Sequence, residues 1–167
     1  MRKLLDAPIH PIFTHFTIAL TASSVAFDAL GSMLDAPSLS AAGWWTLVAT
    51  VPLTIGTLIS GVTSRVGLAM EEGAARRWLR AHMAIGPAFF GALLAVALWR
   101  ASLWTDGARA PWSYLASMIA VVSFMTVQGY LGGELVYRFG ADVRGDYPRL
   151  PNEPEMRPRP DAHEGSA

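Results

Sequence analysis

The chain has 167 residues, of which 52% are hydrophobic and 16% charged, where an ordinary soluble domain carries about 25% charged residues. Its 13 Lys and Arg are balanced by 13 Asp and Glu, so there is no basic surplus of the kind that marks nucleic acid as a partner. No cysteine is present, which excludes disulfides, iron–sulfur ligation, a covalently attached c-type haem and a thiolate zinc site.

The apolar residues gather into four runs, near Pro11 to Leu34, Gly43 to Ser64, Ala81 to Trp99 and Trp112 to Tyr137. Each meets the requirement of about 20 mainly apolar residues for crossing a hydrocarbon core of about 30 Å. Inside hydrocarbon every backbone N–H and C=O must be paired within the segment, and the punctuation between runs leaves no room for the strands of a barrel. The pattern predicts an all-α, integral membrane four-helix bundle of up-down-up-down connection occupying residues 1–139. The first run has a competing reading as a signal peptide, since Arg2 and Lys3 precede it and Ser24-Val25-Ala26 has small-x-small character. His10, Pro11 and His15 are out of place in a cleaved segment, which favours the helix. The stretch EEGAARRWLRAH before the third run reads as an interfacial helical turn, with Arg76, Arg77 and Arg80 toward headgroups. Residues 140–167 hold five prolines and ten charged residues, a composition that predicts a disordered tail.

Positive charge is retained on the cytoplasmic side of short flanks. Arg2, Lys3, Arg65, Arg76, Arg77, Arg80, Arg138, Arg144 and Arg149 fall on one side, against Arg100 and Arg109 on the other. This predicts a multi-pass inner-membrane protein with both termini cytoplasmic. Trp44, Trp45, Trp78, Trp99, Trp104 and Trp112 lie near the expected helix ends, where amphipathic rings suit the headgroup layer.

Ionisable residues inside membrane segments are costly and mark candidate sites. His10 and His15 open the first helix, His82 opens the third, and Glu134 lies near the end of the fourth. Antiparallel packing brings these four groups to similar depth. Imidazoles on two helices at matched depth suit the axial positions of a b-type haem, with His15 and His82 as the expected pair. The set His10, His15, His82 and Glu134 is an N/O donor group that suits a transition metal instead. A structural alternative stands beside both: each histidine caps or braces a helix, and Glu134 pairs with Arg65 or Arg138. At the opposite boundary Asp28 lies about 25 Å beyond Pro11 along the helix and matches Arg100 in depth, which predicts an interhelical ion pair. Gly129 and Gly133 make a GxxxG face, through which a homo- or hetero-oligomer could pack. Pro52 with Gly56, and Gly86 with Pro87, mark candidate kinks that could widen space for a ligand.

Two stretches, HPIFTHFTIAL at residues 10–20 and GYLGGELVYRFG at residues 129–140, resemble the bacterial predicted membrane protein family called domain of unknown function 2231. Phe27-Asp28 and the segment from Arg80 to His82 are similar to it as well, so the resemblance covers residues 8–140. It implies four crossings, a respiratory or redox setting with a redox partner protein, and recurrent polar positions at His10, His15, Asp28, His82 and Glu134. Relatives often carry histidine after the Tyr-Arg pair, where this chain has Phe139, so a ligand at that position is missing. The usual glycine-valine ending is replaced by Ala141-Asp142-Val143. The expected function is binding of b-type haem or a transition metal in an electron-transfer role. The alternative is a non-catalytic membrane subunit or scaffold whose polar cluster locks helix packing. A transporter is disfavoured, because the polar groups stop near one interface instead of reaching the midplane.

Overall fold

The computed structural model describes residues 9–65, 73–104 and 108–141, with the side chains of 64 and 65 left out. Four helices follow one another: α1 (Ile9–Leu34), α2 (Pro37–Arg65), α3 (Ala74–Ser102) and α4 (Trp112–Tyr137). Their 26 to 29 residues correspond to about 39–43 Å at 1.5 Å per residue, against a hydrocarbon core of about 30 Å. All four are long and apolar enough to cross a membrane. The expected tail lies outside the described residues.

Two helices start earlier than their apolar runs. The second begins at Pro37 instead of Gly43, because a proline lacking an N–H costs nothing at a first helical position and the Ala36 carbonyl accepts from Leu39 N and Ser40 N. The arginine-rich turn expected before the third run is continuous with α3, which starts at Ala74. Pro52 and Pro87 lie inside unbroken helices with exposed rings.

The link between α1 and α2 has two residues. Asp35 takes a left-handed conformation, φ 54°, one of the few non-glycine residues that tolerates it. Ala36 N then bonds back to the Gly31 carbonyl at 3.0 Å, the closing bond of a Schellman turn. So short a link makes α1 and α2 antiparallel neighbours, and the facing residues let them approach closely. A Cβ on Gly43 would stand 2.7 Å from Asp28 Cγ, and one on Gly56 would stand 2.7 Å from the Phe13 ring. The buried residues of α1 are Thr17, Thr21, Ser24, Asp28 and Gly31, spaced by four and three. Those of α2 include Ser40, Thr50, Thr54 and Ser60. This seam is polar and small, while Ile12, Phe16, Leu30 and Met33 point outward, the distribution expected where lipid is as apolar as a leucine and close packing drives association. Most hydroxyls along it donate to carbonyls of their own helix, as Thr21 does to Thr17 at 2.7 Å and Thr54 to Thr50 at 2.8 Å, while Ser24 crosses to the Gly43 carbonyl at 2.9 Å.

The second hairpin is packed differently. Phe89, Leu93 and Ala97 of α3 meet Leu115, Met118, Val121 and Met125 of α4 in an apolar core that Leu47 of α2 completes. The helices pack in a ring, α2 against α3 and α1 against α4, and no backbone approach joins the diagonal pairs α1 with α3 or α2 with α4. Trp45 and Trp112 are exposed at the end of the bundle that carries Asp28, consistent with a headgroup-level belt.

Because Gly43 has no room for a side chain against Asp28, Gly43→Val should lower unfolding stability by about 1–3 kcal/mol through overpacking. Gly129→Ala, where an added Cβ meets nothing within 4 Å, should change it by less than about 1 kcal/mol. Thermal unfolding of the two purified variants in one detergent checks the contrast.

Candidate functional site

Polar side chains collect at both ends of the bundle. At the end that carries Asp28, a carboxylate and a guanidinium meet across the diagonal. Arg100 Nη2 donates to Asp28 Oδ1 at 3.1 Å, and both side chains are fully buried. The same nitrogen donates to the Ala108 carbonyl at 3.1 Å, and the Tyr114 hydroxyl donates to Asp28 Oδ2 at 3.1 Å. The Trp104 and Tyr114 rings lie 5.1 and 5.6 Å from the guanidinium carbon, within cation–π range. Trp44 stacks on Trp104 at 5.4 Å. Arg100 Nε and Nη1 find no hydrogen-bond partner among the described residues, so these ring faces are their main neighbours. The ion pair agrees with the depth matching of Asp28 and Arg100 in the sequence. Tyr114, Trp104 and the Ala108 carbonyl had no local signature and were missed.

The other end carries the histidines, and the helical repeat decides which of them face inward. His10 lies seven residues before Thr17, two turns away on the same buried seam. His15 is two residues before Thr17, about 160° round the helix at about 100° per residue. His10 is accordingly half-buried and its ring packs on Gly61. Its Nδ1 donates to the Thr57 carbonyl at 3.0 Å, with Ser60 Oγ at 3.2 Å. His15 is exposed, and its Nδ1 donates to the Pro11 carbonyl of its own helix at 2.6 Å. His82 is half-buried and packs on Gly132, its Cε1 3.1 Å from where a Cβ would sit. The Gln128 amide nitrogen donates to His82 Nε2 at 3.2 Å, which leaves the proton on Nδ1, a buried atom without a hydrogen-bond partner.

The structure therefore turns His15 outward on α1, while His82 sits half-buried against Gly132 of α4. Glu134 does not join them. It is about 160° round α4 from Gly132 and pairs with Arg138, one turn on, at 3.6 Å. Among the described residues no three His, Asp or Glu side chains form a group that could hold a metal ion. The companion of His82 that sequence reasoning missed is Gln128, and its signal was the i, i+4 spacing to Gly132 on one helical face.

Outside the helices, Arg109 Nε donates to Asp35 Oδ1 at 2.7 Å, tying the α1–α2 turn to the segment before α4. The Arg109 guanidinium holds the Asp35 carboxyl below the usual carboxylate range and Asp35 in turn raises Arg109.

The fold defines a four-helix membrane-spanning bundle closed at one end by a buried charge lock. The chain belongs to the predicted membrane protein family DUF2231, whose model matches residues 6–145. No curated protein and no solved structure matches it.

Breaking a buried pair by removing one partner strands the other charge and costs about 3–5 kcal/mol. Arg100→Ala and Asp28→Ala should each lose that much unfolding stability, and Tyr114→Phe about 1–2 kcal/mol for one hydrogen bond to a charged group. Chemical unfolding monitored by tryptophan fluorescence measures all three. The Asp35 contribution should depend on pH with a definite sign. A depressed folded value stabilises fully above the ordinary 3.8 and is lost as pH falls through the lower folded value. The small difference in melting temperature between the parent and Arg109→Gln should thus shrink as pH falls from 6 to below 3.8.

Proposed function

We propose that this chain is a non-catalytic membrane subunit, a bundle whose polar side chains lock its helices so that its outer faces and loops can serve an assembly. The observation that carries this reading is the commitment of the buried charges. Both Asp28 oxygens accept hydrogen bonds, from Arg100 and Tyr114, so the most deeply buried acid is engaged in holding helices. His82 Nε2 accepts a hydrogen bond from the Gln128 amide. The asymmetry of Lys and Arg supports cytoplasmic termini in a bacterial inner membrane.

A second reading, imidazole ligation of b-type haem or a transition metal in an electron-transfer role with a redox partner, is favoured by the tautomers of His10 and His15. Both direct Nδ1–H at a backbone carbonyl, which places the lone pair on Nε2 as in metal-bound histidines. His10 with His82 then replaces His15 with His82 as the pair to test.

Absorption spectra and metal analysis of protein purified from its own membranes decide between the two. The subunit reading expects no Soret band and metal well below one per chain, with His10→Ala and His82→Ala changing only the unfolding temperature. A stoichiometric haem or metal that either substitution removes would overturn it.

A further inference from the structure

The side of α3 turned away from the bundle is organised along its length. Arg76, Arg77 and Arg80, all exposed, fall within an arc of about 100°, opposite the buried line of Gly86, Phe89, Leu93, Ala97 and Arg100. No acidic residue lies in the first turn of α3. The helix has 29 residues, about 43 Å, so about 13 Å is left over from a hydrocarbon core of about 30 Å, enough to set arginines in its first two turns at headgroup depth.

Directly beyond Arg80 on the same arc come Ala84, Pro87, Ala88, Gly91 and Ala95, all exposed. A Cβ on Gly91 would meet nothing within 4 Å. The small residues form a smooth stripe about 17 Å long, roughly the depth of one leaflet, and Leu98, 63% exposed, closes it. A cationic head at the water boundary with a low apolar track running inward from it matches the outline of one lipid: phosphate first, acyl chain after.

We propose that the outward face of α3 seats an anionic phospholipid, its phosphate on Arg77 and Arg80 and an acyl chain along Ala84 to Ala95. Charge selects the occupant. Two exposed guanidinium groups on a helix that itself carries no Asp or Glu favour a headgroup with net negative charge over a zwitterionic one, and guanidinium forks suit phosphate oxygens. A second copy of the chain would suit the small residues but would bring two arginine clusters to the same membrane surface.

Native mass spectrometry of the full chain, released from nanodiscs of equal phosphatidylglycerol and phosphatidylethanolamine, tests this. The parent should retain phosphatidylglycerol in preference to phosphatidylethanolamine. A basic group near an anionic surface contributes about fivefold in affinity, so the double variant Arg77→Gln/Arg80→Gln should weaken phosphatidylglycerol retention about thirtyfold. Gly91→Leu should weaken retention of either lipid several-fold while keeping the preference, and Arg138→Gln on α4 should leave the preference intact. Unchanged melting temperatures certify that the exposed-site variants fold. Equal retention of the two lipids by the parent, or an equal loss in Arg138→Gln, would overturn the proposal. So would displacement of the lipid by millimolar inorganic phosphate, which marks a free-anion site, or a dimer that Gly91→Leu dissolves with lipid retention unchanged.

Discussion

Asp28 and Arg100 face each other with no exposure to water, and most of the architecture at that end of the bundle follows from keeping them satisfied. Two charges withdrawn from solvent are tolerated only with good geometry and further hydrogen bonds, and a membrane interior makes the requirement stricter. The carboxylate accepts hydrogen bonds from Tyr114 on α4 and from Arg100 on α3, and α2 presents Gly43, whose missing side chain is the space Asp28 occupies. The guanidinium in turn takes the Ala108 carbonyl and the Trp104 ring, so the segment before α4 closes over the pair. One interaction thus sets the relative placement of all four helices across a diagonal that no backbone contact bridges.

The two hairpins reach stability by different means. Between α3 and α4 the packing is ordinary apolar core, with Leu93 and Met118 wholly buried. Between α1 and α2 it is a seam of glycine and hydroxyl residues. Small side chains allow the close approach that replaces the hydrophobic drive missing in lipid, and most hydroxyls are satisfied before they reach a neighbour. Thr17 and Thr57 do share a hydroxyl to hydroxyl bond at 2.9 Å. Apart from that of the buried Ser40, the other hydroxyl protons described along the seam go to backbone carbonyls, so the seam works as a packing surface.

The histidine end is looser in its chemistry. His10 is braced by Thr57 and Ser60, and His82 by Gln128, contacts that fix the orientation of each ring.

Local composition was enough to establish four apolar helices, their order and the Asp28–Arg100 pair, because the length needed to cross hydrocarbon and the depth along a helix are both one-dimensional quantities that residue spacing measures directly. Azimuth was also present, though it needed a reference: once Thr17, Thr21, Ser24 and Asp28 are known to face inward, His10 must and His15 cannot. Which face is inward was not readable, since in α1 the buried residues are the polar ones and the large apolar residues point outward, the reverse of a soluble helix. Only the tertiary structure chose Gln128 over Glu134 as the companion of His82 and added Tyr114 and Trp104 to the ion pair. Those partners come from separate helices and a connecting segment, and their meeting depends on register and rotation between helices that no single stretch of sequence encodes.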